Sequence, residues 1–413
     1  MGAMETTQAT AASWIAAGRA TAWLRILAAV SALSFAALLI ATRAGVGPDP
    51  WGRPLGADFV SFWTAARLAL AGMADAAWNP ALHGAAQHAW FGTELGFAPD
   101  YYAFFYPPPF LLICLPFGLL PYPVALAAWL WLTTSLFYAA IRALLGPGVP
   151  SLLLILAFPA LTLNAEHGQN GALFAALLAA AARWLDRRPG WAGVCLGLLC
   201  CKPQLALLVL PALLASCRWR ALTVTLLGGA ALCLGSWAIL GGGAWLGFLR
   251  DTALAERAIA DGWVGFGKMV SPFAALRLLD APIAAAATIQ GACSLAALAS
   301  VVTFCRRKRD GAAEIAAIAA GACLATPFLL DYDLTILAIP LAIVASRRET
   351  TRQERCVLCA AYLLPLLARP LAMQAGIPMA PFVVAALFMV VARPVRAAVR
   401  SPVFPAPATA RAP

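Results

Sequence analysis

The chain has 413 residues, of which 62% are hydrophobic and only 11% charged, and its formal net charge is +11. Soluble domains carry about a quarter charged residues, so this composition excludes a soluble globular protein and defines a polytopic membrane protein. Nucleic acid is excluded as the reason for the positive charge: the basic residues come in short clusters between apolar runs, with no aromatic-interleaved basic surface.

Residues 1–21 are read as a polar, cytoplasmic N-terminal tail, and the apolar run from about Ala22 to Thr42 as a retained first span. A 67-residue polar loop follows, residues 43–109, and opens on Gly56-Ala57-Asp58-Phe59. In a helix over 56–70, Phe59, Phe62, Trp63, Ala66 and Leu70 share one apolar face, which predicts a helix lying in the membrane interface. Asp58 stands at its start, where it is either the cap of that helix or an acidic group at head-group depth. Asn79-Pro80 marks a second helix start, and Tyr101–Pro109 holds interfacial aromatics and a proline run that keeps the chain extended.

Apolar segments follow at about 110–120, 124–145, 151–165 and 168–185. The first and third are too short, at about 1.5 Å per residue, to cross about 30 Å of hydrocarbon. They are expected to be re-entrant or broken helices around a cavity. The run 190–216 is interrupted by Lys202-Pro203 and has arginines at both ends, so it is either a hairpin or a crossing that breaks the positive-inside rule. A span at about 221–241 leads to a second polar loop, 242–280. Later spans at about 281–304, 312–330, 333–346, 356–373 and 377–392 are divided by Arg306–Arg309 and by the arginines from Arg347 to Arg355, which are expected to be cytoplasmic. The result is an all-α protein with about 12 transmembrane or re-entrant helices, a single membrane domain over 22–393 and external loops at 43–109 and 242–280. Residues 394–413 are expected to form a disordered basic tail.

Polar side chains inside apolar spans are costly, and each is a functional candidate. Lys202, one of three lysines, sits between apolar stretches and is either a phosphate-binding cation or half of an ion pair. Asn164, Glu166, His167, Gln169 and Asn170 form a polar knot, with Gly168 and Gly171 permitting a tight turn. Asp331 and Asp333 flank Tyr332; an Asp-x-Asp can hold a divalent metal, but the spacing alone is weak evidence for one. With three histidines and no repeated CxxC among eleven cysteines, neither a metal centre nor a disulfide framework is expected.

In order and spacing these fragments resemble glycosyltransferase family 87, mannosyltransferases of the GT-C superfamily that use polyprenyl-phosphate sugars. The matching residues are Gly56–Phe59 with Phe62-Trp63 and Ala65-Ala66, Trp78–Leu82, Phe105–Pro108, Leu119–Pro121, Gly168–Asn170, Gly193 with Lys202-Pro203, Ala325–Pro327 and Tyr332–Leu334. The resemblance implies a GT-C-like fold and an integral protein of a bacterial inner membrane with its active site on the external face. It also implies Asp58 as general base and a polyprenyl-phosphate-linked sugar, mannose, as donor, with a lipid or glycan acceptor and no cofactor or metal. Carried over to the donor phosphate or sugar are Lys202, Gln169, Asn170 and Tyr332, with Arg67 from the Asp58 segment. Tyr106, His167, Lys268, Asp331 and Asp333 are expected around the acceptor or behind these groups. Two departures stand out: Tyr332 replaces a histidine found in many members, and Gly265–Ser271 replaces an asparagine-rich motif. The alternatives from other classes are a secondary transporter or lipid flippase, and a scaffold of the same fold without catalysis.

Overall fold

A computed structural model of the chain describes residues 13–16, 18–43, 54–91, 101–145, 149–307, 310–347 and 350–393. The described residues are mostly helical and contain no β-strand. Residues 1–12 of the expected N-terminal tail and all of 394–413 lie outside the described residues. The first long helix begins at Gly18, before the predicted Ala22.

Among the described residues, five helices are long and apolar enough to cross a membrane: Gly18–Ala41, Tyr122–Leu144, Trp219–Leu240, Ile283–Arg306 and Arg352–Ala375. Their starts are written locally. Thr351 and Glu354 form a capping box that satisfies two otherwise orphan amides. Pro121 is the cap of Tyr122–Leu144, and Pro123 fits the first turn, where no amide hydrogen is needed. Shorter apolar helices, Pro108–Gly118, Gly171–Trp184, Gly311–Ala325 and Ala380–Ala392 among them, fill the space between.

The predicted 151–165 segment is two helices, Ser151–Leu156 and Pro159–His167, because Pro159 has no amide hydrogen to continue the first. The 190–216 run is a hairpin. It rises through Pro189–Gly197 and the 3-10 turn Leu198–Cys201, and it returns through Pro203–Ala206 and Val209–Ala215. Its two ends meet, since Arg218 pairs with Asp186 at 2.7 Å and with Glu314 at 2.7 Å. One pair of contacts thus gathers the flanking arginines at one end of the molecule, hereafter the arginine end. Arg347, whose guanidinium donates to the carbonyls of Val390 and Val391, stands there with Leu144, whose carbonyl accepts from Ser346.

At the opposite end the two polar loops pack on each other. The 242–280 loop is mostly helix, Gly242–Ala260 and Pro272–Leu278, which its glycines at 242 and 243 did not suggest. Gly247 lies against Trp78, and Trp78 meets Phe248 edge-on at 6.4 Å. The Asp58 helix, Ala57–Leu70, is corrected more deeply: Val60, Ser61, Thr64, Ala65 and Leu68 are buried along with the predicted apolar face, while Leu70 is exposed. It is wrapped by protein rather than half-immersed in lipid. Phe59 stacks on Trp129 at 5.9 Å, Phe62 meets Phe110 at 5.0 Å, and small Ala66 admits Gly118 from Pro108–Gly118.

Asn79 caps Pro80–Phe91 as predicted, accepting from the amides of Ala81 and Leu82 at 3.1 and 3.2 Å. In that helix His83 is fully buried, its Nδ1 2.7 Å from the Ala77 carbonyl. Burial pushes its imidazole down to about 4, although the Ala77 contact works the other way. An unfolded histidine takes a proton near 6.5, so the stability that neutral His83 supplies is lost as pH falls from 6.5 toward 4. Hydrogen exchange of residues 80–91 should accelerate over this range in wild type relative to His83→Gln. Equal exchange in the two would count against a neutral buried imidazole.

Candidate active site

Asp58 owes its position to Gly56, whose φ of 66° turns the chain into the helix. The Tyr122 hydroxyl reaches the carbonyls of Leu55 and Gly56 at 2.5 and 3.1 Å and pins that turn. The cap is therefore Gly56, with no side-chain cap bond, and Asp58 is the second helical residue. A carboxylate there still profits from the helix dipole, but it is not spent on capping. Asp58 Oδ2 accepts from Gln169 Nε2 at 3.0 Å and lies 3.7 Å from His167 Nδ1.

The polar knot 164–170 supplies most of the site's framework. Gly168, at φ 64°, ends Pro159–His167 and passes so close to the Asp58 helix that a Cβ there would stand 2.6 Å from that of Phe59. Trp129 Nε1 donates to its carbonyl at 3.0 Å. The left-handed backbone alone should make Gly168→Ala about 1–2 kcal/mol less stable; the clash adds to this, and a thermal midpoint equal to wild type would refute the account. Beyond the turn, Gln169 is a four-way junction. Its Nε2 donates to Asp58 and to the Tyr332 hydroxyl (3.1 Å), and its Oε1 accepts from the Tyr106 hydroxyl (3.1 Å) and the Asn170 amide (3.0 Å). Asn164 holds the Gln169 carbonyl at 2.6 Å and accepts from Ala172 N at 2.7 Å. A carboxylate so held has one defined orientation.

The hairpin tip carries Lys202 to the same level, where it is 2% exposed. Its Nζ is 2.5 Å from Asp333 Oδ1 and 3.0 Å from Asn170 Oδ1. Of the two sequence readings, the geometry is that of a buried ion pair. Asp333 also accepts from the Leu330 amide at 3.2 Å. The strand-like contact between Met269 and Leu330 and the bond from Asp331 N to the Lys268 carbonyl (3.2 Å) tie the second polar loop to this segment. They place half-buried Lys268 over the Tyr332 ring at 5.3 Å. Burial raises the Asp58 carboxyl, but the charges of Lys268 and His167, with hydrogen bonding from Gln169 and Tyr332, outweigh it and hold the group below its usual range.

Two residues change places relative to expectation. Arg67 is nine residues along the helix from Asp58, roughly 14 Å away, sandwiched against Trp90 and Trp63 at 4.6 and 5.4 Å; it is not at this site. Arg369, which sequence reasoning missed, is: its guanidinium is 4.0 Å from buried Asp331 Oδ2, an atom with no hydrogen-bond partner among the described residues. The signal was present, since Arg369-Pro370 interrupts an apolar span as Lys202-Pro203 does. Among the described residues no group of three or more His, Cys, Asp and Glu side chains is placed to hold a metal ion, and of the two aspartates flanking Tyr332, Asp333 pairs with Lys202 and Asp331 faces Arg369.

The fold and site define a class: an integral, all-helical membrane protein whose polar loops close over a half-buried carboxylate, two half-exposed cations and a hydrogen-bonded amide junction. The profile of glycosyltransferase family 87 matches residues 104–330, more than half of the 413 residues, and the chain belongs to that family. The match contains Tyr106, His167, Gln169, Asn170, Lys202 and Lys268, and geometry joins Asp58, Asp331 to Asp333 and Arg369 to them. No curated protein and no solved structure matches the chain. A glycosyltransferase requires a sugar donor and an acceptor, and with that assignment the transporter and flippase alternatives give way.

Proposed function

We propose that this glycosyltransferase moves mannose from a polyprenyl-phosphate carrier to a hydroxyl of a lipid or glycan acceptor, with inversion and with Asp58 as general base. The observation that carries this is the Asp58 carboxylate, held through Gln169 and facing Lys268 and His167. The acceptor oxygen attacks the anomeric carbon as its proton passes to Asp58. The bond from that carbon to the phosphate oxygen breaks, and polyprenyl phosphate leaves with the electron pair. The leaving phosphate needs cations, and Lys268 and Arg369 serve, since Lys202 is occupied by Asp333. Gln169, Asn170 and Tyr332 orient the sugar and the base, and Tyr106 and Asp331 stand behind them.

About twelve transmembrane or re-entrant helices, with both termini and the arginine end in the cytoplasm, are our reading of the topology, and the paired ends of the hairpin support it. On this reading the site, beneath the two loops, faces the exterior of the inner membrane in a GT-C-like arrangement.

The test is transfer of radiolabelled mannose from polyprenyl-phosphate-mannose by the purified protein into a membrane lipid extract, with a chelator and then with added metal. Transfer in chelator is expected. No transfer from this donor, alongside transfer from another polyprenyl-linked sugar, would overturn the mannose assignment; transfer from a nucleotide sugar alone would overturn the carrier. Because the Lys268 charge holds the Asp58 carboxyl down, the acid limb of kcat/KM should move to higher pH in Lys268→Gln. An unmoved limb would separate the two groups.

A further inference from the structure

One cavity among the described residues is remote from Asp58. It has a volume of about 590 Å³ and is lined by Trp14, Leu24, Ile141, Phe158, Ala342 and Leu358 among others, nearly all apolar. That size is in the usual range of ligand sites, about 300–1,000 Å³. Trp129 marks the level of the active site on Tyr122–Leu144, and the cavity begins at Phe137 and ends at Leu145, roughly 12–24 Å further along that helix. It therefore opens toward the arginine end, behind the helix Gly18–Ala41, which buries little of its own surface.

Its rim has features that an empty packing defect does not need. The Arg355 guanidinium lies 5.8 Å from the Trp14 ring, on an exposed side chain one turn before the lining residues Leu358 and Cys359. The Trp14 indole N–H is buried with no hydrogen-bond partner among the described residues. Thus one apolar chamber has a cation and an idle donor beside it, near the starts of the helices Gly18–Ala41 and Arg352–Ala375, and at the ends of membrane spans Trp and Arg meet lipid head groups. Basic pockets between membrane helices recognise anionic lipids by this combination.

We propose that the cavity holds an acyl chain of an anionic phospholipid of the leaflet at the arginine end, with its phosphate or ester oxygens on Arg355 and the Trp14 N–H. The lipid fills the gap behind the first helix and fastens that helix to the bundle. The proposal is independent of the donor assignment.

The test is native mass spectrometry of the full-length protein after exchange into equimolar phosphatidylglycerol and phosphatidylcholine. Wild type should keep one phosphatidylglycerol several-fold in preference to phosphatidylcholine. Ala342→Trp, which fills the chamber, should lose the retained lipid, and Arg355→Gln should keep a lipid but lose the preference. Equal retention of both lipids by wild type would overturn the proposal, as would unchanged retention in Ala342→Trp. If Ala342→Trp does not fold, exposed Arg355→Gln still decides, because an undiminished preference there removes the head-group contact. Displacement of the phosphatidylglycerol by polyprenyl phosphate would assign the chamber to the carrier's tail and also overturn it.

Discussion

Asp58→Asn should lower kcat/KM for sugar transfer by about 10²- to 10⁴-fold, the usual contribution of a positioned proton acceptor, while leaving the protein folded. Asparagine matches the volume of aspartate, and its carbonyl oxygen can still accept from Gln169 Nε2, so the four-way junction survives. What disappears is the ability to take a proton. The same substitution separates catalysis from capping, because asparagine caps helices about as well as aspartate and the cap here is Gly56 in any case. Donor consumption and product formation should be followed together, with the thermal midpoint as a check on folding. A folded Asp58→Asn that transfers at the wild-type rate would remove Asp58 from the mechanism.

The second large effect is on stability. Lys202→Met should destabilise the protein by about 3–5 kcal/mol, because it strands the buried Asp333 carboxylate with no counter-charge. Adding Asp333→Asn should restore much of that loss. The neutral pair needs no counter-charge, and the asparagine oxygen can still accept from the Leu330 amide. A phosphate-binding lysine would behave otherwise: Lys202→Met would raise the KM for the donor at unchanged stability, and Asp333→Asn would rescue nothing. Thermal midpoints and donor KM for the two single variants and the double variant distinguish these outcomes. A stable Lys202→Met with weakened donor binding would return Lys202 to the phosphate and displace Lys268 and Arg369 from it.

The residues that carry these predictions were legible in sequence to different degrees. Asn79 before Pro80 and Gly168 in a polar knot act on backbone within a turn or two of themselves, and the structure has them where local chemistry puts them. Apolar runs likewise mark the long helices, because about 20 apolar residues suffice to span the hydrocarbon whatever their neighbours. Asp58, Gln169, Lys202 and Tyr332 stood out as polar groups in costly surroundings.

Partnership was not legible. Lys202 is 131 residues from Asp333, and Asp58 is 111 from Gln169. Nothing within one helix says which distant helix will lie beside it. Arg67 was drawn to the site by nearness in sequence to Asp58, but nine residues of rigid helix carry it to a pair of tryptophans, whereas Arg369 arrives from the far end of the chain. The hairpin at Lys202 was undecidable for the same reason: arginines at both ends fit two topologies until Arg218 is seen to join Asp186 and Glu314. By itself the sequence determined a membrane protein, its long helices, its caps and turns and the polar residues worth suspecting, since these depend on hydrophobicity and on backbone groups a few residues apart. Only the tertiary structure decided which suspects meet and which charges cancel, because a buried charge is settled by whichever helix packs against it.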